Sequence, residues 1–192
     1  MAETDNEIIA RVRAGSNHAF AMLIDRYKDR TFTLALRMLK RREEAEEALQ
    51  DAFVRAYHAL PRFEGTASFG TWLYRIVYNV CLTRIARRRE EIAVVDYDDD
   101  QNYDSSAIHS GDSIESTYES REMIEHIQSI IASMPEKYAS VLTLWYTQDL
   151  SHEEICEVTE LPLGTVKVHL FRARAILRKR LSKEFQMENL NA

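Results

Sequence analysis

The stretch from Leu150 to Lys183, LSHEEICEVTELPLGTVKVHLFRARAILRKRLSK, constrains the fold more than any other part of the chain. It sets a short acidic helix, a turn and a strongly basic helix in direct succession. Ser151 and Glu154 stand at the S-x-x-E spacing of a capping box: the serine oxygen accepts from a backbone N–H of the first turn while the glutamate reaches back, so the first helix starts at Ser151. Ile155 and Val158 face inward. The period breaks between Glu160 and Gly164, at Pro162, and Val166, Leu170, Ala173 and Leu177 then rebuild an apolar stripe at helical spacing. Between Lys167 and Lys183 there are seven basic and no acidic residues, and Lys167, His169, Arg172 and Arg174 stand off the stripe, where they can meet phosphates and base edges. A basic helix alone more often reads as a solvated face. Cap, turn and stripe together specify a helix-turn-helix that reads DNA.

A net charge of -6 over 192 residues argues against nucleic acid until it is divided along the chain. Residues 1–92 carry 16 basic and 13 acidic groups, residues 93–120 carry 8 acidic and no basic groups, and residues 121–192 carry 9 basic and 10 acidic groups. The excess of acid therefore sits in the middle. There, Ile92 to Thr117 clusters Asp and Ser with little periodicity, the composition of a linker that does not order itself alone; an inert spacer and a functional acidic tether are both consistent with it.

Helical stripes occupy the rest. Thr4 and Glu7 form a capping box before a short helix that Gly15 can end, and Phe20, Leu23, Ile24 and Tyr27 mark a second helix. A third helix, beginning near Glu43 and stopping at Pro61, buries Ala45, Leu49, Ala52, Phe53 and Ala56 and turns Glu46, Glu47, Gln50 and Asp51 to solvent. A fourth, after the loop FEGTAS, has Leu73, Ile76, Val77 and Val80 on its core face. Beyond the linker, Met123, Ile127, Ile130 and Ile131 define one helix, and Tyr138, Val141, Leu142 and Trp145 the next, with Ser133 and Glu136 as its expected cap around Pro135. No segment alternates like a strand. The expected fold is all-α: a four-helix domain over residues 1–92, an acidic flexible linker over 93–120 and a four-helix domain over 121–192.

The fourth helix carries a second constellation. Trp72, Arg75 and Asn79 share a face, flanked by Phe69, Tyr74 and Tyr78 and followed by Arg84, Arg87, Arg88 and Arg89. Aromatic surface beside fixed positive charge suits single-stranded or melting DNA, whose unstacked bases rest on aromatic faces. The same aromatics can equally pack the domain core.

Taken in order, EEAEEALQDAFVRAYHALPRFEG, SFGTWLYRIVYNVCLTRIARRR and SHEEICEVTELPLGTVKVHLFRARAIL resemble the extracytoplasmic function (ECF) class of bacterial RNA polymerase sigma factors, of the sigma-70 family. The resemblance implies a region 2-like N-terminal domain, a region 4-like C-terminal domain and no enzymatic activity. It implies that Glu47, Gln50 and Asp51 dock on the clamp of the core polymerase's largest subunit, with a further contact to the flap of the second subunit. Phe69, Trp72, Arg75, Tyr78, Asn79, Arg84, Arg87 and Arg88 fall where the family recognises and melts the minus-ten element, with the loop Glu64 to Ser68 placed to receive a flipped base. Thr165, Lys167, His169, Arg172 and Arg174 map to the helix that reads the minus-thirty-five element. The implied partners are core RNA polymerase, promoter DNA and an anti-sigma factor, and the implied setting is a stress response. Five positions depart from the common pattern: Cys156 replaces a small residue, Glu160 a glycine in the turn, Val168-His169 a Ser-Arg pair, and Ala48 a larger apolar residue in the third helix.

Other classes lack their signatures. A response regulator needs an α/β receiver with strands, and none is patterned here. The six histidines are scattered and the two cysteines, Cys81 and Cys156, lie far apart, so the pattern calls for no metal, no cofactor and no disulfide; there is no G-x-S-x-G or phosphate-binding glycine loop. No small-molecule ligand is indicated. Without a secretory signal or a membrane-spanning run, a cytoplasmic chain with no direct membrane association is expected.

Overall fold

The Thr4 side chain accepts from the Glu7 backbone N–H while the Glu7 carboxylate accepts from that of Thr4, closing the expected capping box at the start of α1 (Asp5–Arg13). Gly15 follows with φ 95, a left-handed turn that glycine adopts without strain, and Ser16 caps α2 (Asn17–Leu39). After α3 (Arg42–Ala59) a 3-10 turn at Leu60–Arg62 absorbs Pro61 and leads through the loop 63–68 into α4 (Phe69–Val95). The computed structural model describes residues 3–95 and 118–188. The second half contains α5 (Tyr118–Ala132), α6 (Glu136–Tyr146), α7 (His152–Thr159) and α8 (Leu163–Glu188), and no strand occurs among the described residues. Most of the acidic linker lies outside them, although helix occupies both margins of the segment 93–120.

The expected cap at Ser133 is not formed. Pro135 is the N-cap of α6, without a side-chain hydrogen bond, because Ser133 instead donates to the Ile130 carbonyl at 2.7 Å and closes the end of α5. At Ser151 the capping box is complete, and α7 ends at Glu160 in a left-handed conformation, φ 58.

The two four-helix halves meet face to face, α6 against α2 and α7 against α4. A continuous apolar core runs through both: Leu34, Met38, Val77, Val80 and Cys81 from the first half join Met134, Leu142, Leu144, Ile155 and Val158 from the second. A smaller cluster of Ile8, Phe20, Leu23, Phe53, Leu60, Phe63 and Leu73 serves the first half alone. Each fully buried Leu or Ile contributes about 1.5–3 kcal/mol.

Polar ties fix the register of the halves. Tyr74 donates from its hydroxyl to Gln148 Oε1 at 2.6 Å, and Gln148 Nε2 donates to the Arg30 carbonyl at 3.1 Å. Lys40, held at φ 69 at the end of α2, donates from Nζ to the Ala132 and Met134 carbonyls at 2.6 and 2.8 Å, satisfying the C-terminus of α5 from the other half. Arg89 pairs with Glu136.

Tyr74→Phe leaves the buried Gln148 oxygen without its donor, and chemical denaturation is expected to register a loss of about 1–3 kcal/mol. Burial pushes the Lys40 ammonium down to about 8, with Arg37 adding to the lowering. A folded-state pKa below the unfolded one means that the unfolded chain binds more protons between the two values. The stability of the native chain relative to Lys40→Met is therefore expected to rise as pH climbs from about 8 toward 10.5, measured as the difference between paired denaturation curves.

Candidate nucleic-acid interface

On α3, the buried run Ala45, Ala48, Ala52 and Ala56 lets the helix lie close to its neighbours and turns the intervening carboxylates outward. Glu47, Gln50 and Asp51 are all exposed. Glu47 accepts from Arg84 at 2.9 Å, and the same guanidinium stands 3.7 Å from Asp51. The structure thus brings together two groups that the sequence assigned to different tasks: Arg84 of the melting set steadies the carboxylates of the docking set. Exposed pairs of this kind contribute about 0–1 kcal/mol each, so they orient side chains more than they stabilise the fold. Arg88 contacts Glu44 and the Leu39 carbonyl, while Arg87 is exposed.

Along α4 the predicted minus-ten residues divide by depth. Phe69 and Tyr78 are buried, as is Tyr74, so they form the floor of the region rather than its surface. Trp72 is half-buried, tilted against Phe63 and Phe69 with ring centroids 5.0 and 5.6 Å away. Arg75 and Asn79 are exposed. Trp72 and Arg75 line an open cavity of about 390 Å³ together with Arg62, Phe63, Glu64 and Thr66 of the preceding loop, and Glu157 of α7 stands at the same cavity. Aromatic wall, guanidinium and loop backbone make a place where a flat, unpaired base can stack.

The helix expected to read the minus-thirty-five element, α8, rests on Val166, Leu170 and Ala173, all buried. Of the five predicted residues, Lys167, Arg172 and Arg174 are exposed and Thr165 and His169 half-buried. Arg174 lies over the Trp145 ring at 5.1 Å and near Tyr146 at 6.0 Å, a stacked position that limits its rotamers. Arg172 donates to the Tyr138 hydroxyl at 3.4 Å. His169 meets Tyr138 edge-on at 5.5 Å, and burial, helped by the charges of Lys137 and Arg172, holds its imidazole below the usual range. It is therefore a neutral packing residue at pH 7 as much as a surface one. Sequence reading missed Phe171, which is 73% exposed, and Val168 beside it, 46% exposed. The available signal was an aromatic residue placed off the apolar stripe of Val166, Leu170 and Ala173.

Comparison with known proteins gives these surfaces their context. Residues 23–91 match the Sigma-70 region 2 family and residues 124–177 match Sigma-70 region 4. The chain is 38% identical over 176 residues to the ECF RNA polymerase sigma factor SigW of Bacillus subtilis, covering 90% of this chain and 94% of that protein. This chain belongs to the ECF sigma factors of the sigma-70 family. It is also 33% identical to the ECF sigma-E factor of Haemophilus influenzae, over 94% of this chain and 98% of that one. The fold is shared with the sigma factor RpoE of Bartonella quintana, solved with the anti-sigma factor NepR, at TM-score 0.70 and 20% identity over 85% of this chain and 96% of that one. CnrH, solved with the cytosolic domain of CnrY, gives TM-score 0.63 and 21% identity over 94% and 99% of the two chains. As an ECF sigma factor the chain is a non-enzymatic initiation factor that directs core RNA polymerase to promoter DNA.

Proposed function

We propose that this sigma factor docks on the clamp of the largest polymerase subunit through Glu47, Gln50 and Asp51, contacts the flap of the second subunit through its C-terminal half, opens the minus-ten element on α4 and reads the minus-thirty-five element with α8. The observation that carries this reading is the separation of surface chemistry by helix. α3 exposes a carboxylate row, the start of α4 an aromatic cavity with Arg75 at its edge, and α8 a basic face around Phe171.

Each surface suits its task by elementary chemistry. Lys167 supplies a compact charge for a phosphate, and Arg172 a guanidinium fork that a guanine edge or a phosphate can accept from in pairs. Phe171 offers an exposed apolar face of the type that meets thymine methyl groups. Arg174, already stacked on Trp145, binds a phosphate with little further ordering. At the minus-ten element, a base leaving the stack enters the cavity beside Trp72 while Arg75, Asn79 and Arg87 hold the backbone, and binding energy drives the melting without ATP. The acidic linker has the charge to occupy a basic channel of the polymerase. We further propose that the factor works in the cytoplasm under stress control and is held inactive by an anti-sigma protein covering its polymerase-binding surfaces. Support comes from the related fold of RpoE, solved with the anti-sigma factor NepR.

Purified chain mixed with core polymerase is expected to yield transcripts from a subset of promoters; no core binding and no promoter-dependent product would sink the proposal. Glu47→Lys with Asp51→Lys should weaken core binding about tenfold or more, read by competition for core against a labelled wild-type chain. Lys167→Ala should lower duplex affinity evenly across sequences and reduce the salt slope by about 1, whereas Arg172→Ala and Phe171→Ala should each change preference at one or two base pairs. Phe171→Ala should leave thermal stability nearly unchanged, because the ring is 73% exposed.

A further inference from the structure

The helix α7 is acidic inside a DNA-binding domain, and reading the minus-thirty-five element gives its carboxylates no use. Glu154, Glu157 and Glu160 follow one another at a spacing of three, along the edge of α7 that faces α4. Glu154 Oε1 accepts from the Thr71 hydroxyl at 3.1 Å. Glu157 stands at the cavity lined by Trp72 and Arg75. Glu160 Oε1 accepts from both Nε and Nη2 of Arg75, at 3.1 and 2.6 Å. Three carboxylates in a row thus address a buried hydroxyl, an aromatic cavity and a guanidinium, the last two on the face assigned above to unwound DNA.

We propose that this edge of α7 is an internal substitute for nucleic acid, and that in the isolated chain it competes with single-stranded DNA for Arg75 and the Trp72 cavity. The inference rests on the reading of α4 as the minus-ten surface. A carboxylate can take the place of a phosphate here because both offer anionic oxygens to the same guanidinium N–H groups. Glu160 reaches Arg75 from a left-handed backbone, φ 58, a conformation that usually selects glycine, so a charged side chain is kept where the local chain would favour none. The contact is also reversible. Arg75 is 52% and Glu160 59% exposed, which leaves the pair screened by water and salt and open to displacement by a strand bearing many charges. Neutral contacts between the halves, such as Tyr74 with Gln148, hold α7 in place, while the carboxylate edge decides what else can bind there.

The test uses the full chain and a fluorescent random-sequence single-stranded DNA, followed by polarisation. Glu157→Gln with Glu160→Gln keeps size and hydrogen-bonding shape, spares the Glu154 cap and removes two charges. Asp149→Asn with Glu153→Gln removes the same charge from exposed positions that make no ion pair among the described residues. The first pair is expected to tighten DNA binding about threefold to tenfold, and the control pair by less than about twofold. Equal effects of the two pairs, or none from either, would overturn the proposal. Arg75→Ala separates it from the reading beneath it. If that change weakens binding while the two double variants behave alike, the internal competition fails and the minus-ten surface stands; if it has no effect in any background, the surface itself is wrongly placed. In the wild-type chain, saturating DNA should speed amide hydrogen exchange in α7. DNA that binds without altering that exchange contradicts displacement.

Discussion

Tyr74 donates to Gln148 and Gln148 donates to the Arg30 carbonyl, so one chain of polar contacts crosses the apolar interior and ties α4, the loop after α6 and α2 together. Both side chains are almost wholly buried, and a buried amide without partners is costly enough to select against any other register of the two halves. The rest follows from that seat. With α6 against α2 and α7 against α4, the helix proposed to bear the minus-ten surface is covered on two sides. Leu73 and Phe69 serve the first-half cluster, and Val77, Val80 and Cys81 the shared core. Toward solvent the first turns of α4 present a strip with Trp72, Arg75 and Asn79. The cavity beside Trp72 exists because the loop 63–68 rises over this strip from one side while α7 approaches from the other.

Charge is organised on the same plan. The net charge of -6 conceals acidic edges set opposite basic ones within the chain: Glu47 and Asp51 beside Arg84, Glu44 beside Arg88, and the α7 carboxylates beside Arg75. None of these pairs contributes much to stability, since all are partly or largely exposed. Their effect is to orient the charged side chains that stay exposed, and the arrangement of those charges governs encounter with a polyanion or a basic protein groove.

Local structure was legible in the sequence because its causes are local. The capping boxes at Thr4 and Ser151, the alanine-lined face of α3 and the Val166–Leu170–Ala173 stripe of α8 all depend on residues a few positions apart. Ser133 was misread: the same hydroxyl can cap the following helix or close the preceding one, and the proline at 135 decides for the latter. The packing of the halves was not legible, because the partner of Tyr74 lies 74 positions away and that of Lys40 more than 90. For the same reason the aromatics of α4 could be read as surface or core, and they are both: Phe69, Tyr74 and Tyr78 are core and Trp72 is at the rim. Phe171 was legible in principle, since it stands off a stripe that the sequence already defines, but attention to charge on that face passed over an apolar residue.

Glu160 shows why these levels cannot be treated apart. Its left-handed backbone terminates α7 and sets the angle at which the chain enters α8, while its carboxylate holds Arg75. α7 and α8 share one apolar cluster with α2, α4 and α6 through Ile155, Val158, Val166 and Leu170, so the seat of α7 does not depend on the exposed Arg75–Glu160 pair. One residue thus acts at two levels at once: its backbone shapes the turn between α7 and α8, and its side chain fixes a negative charge beside Arg75 of α4 without carrying the fold.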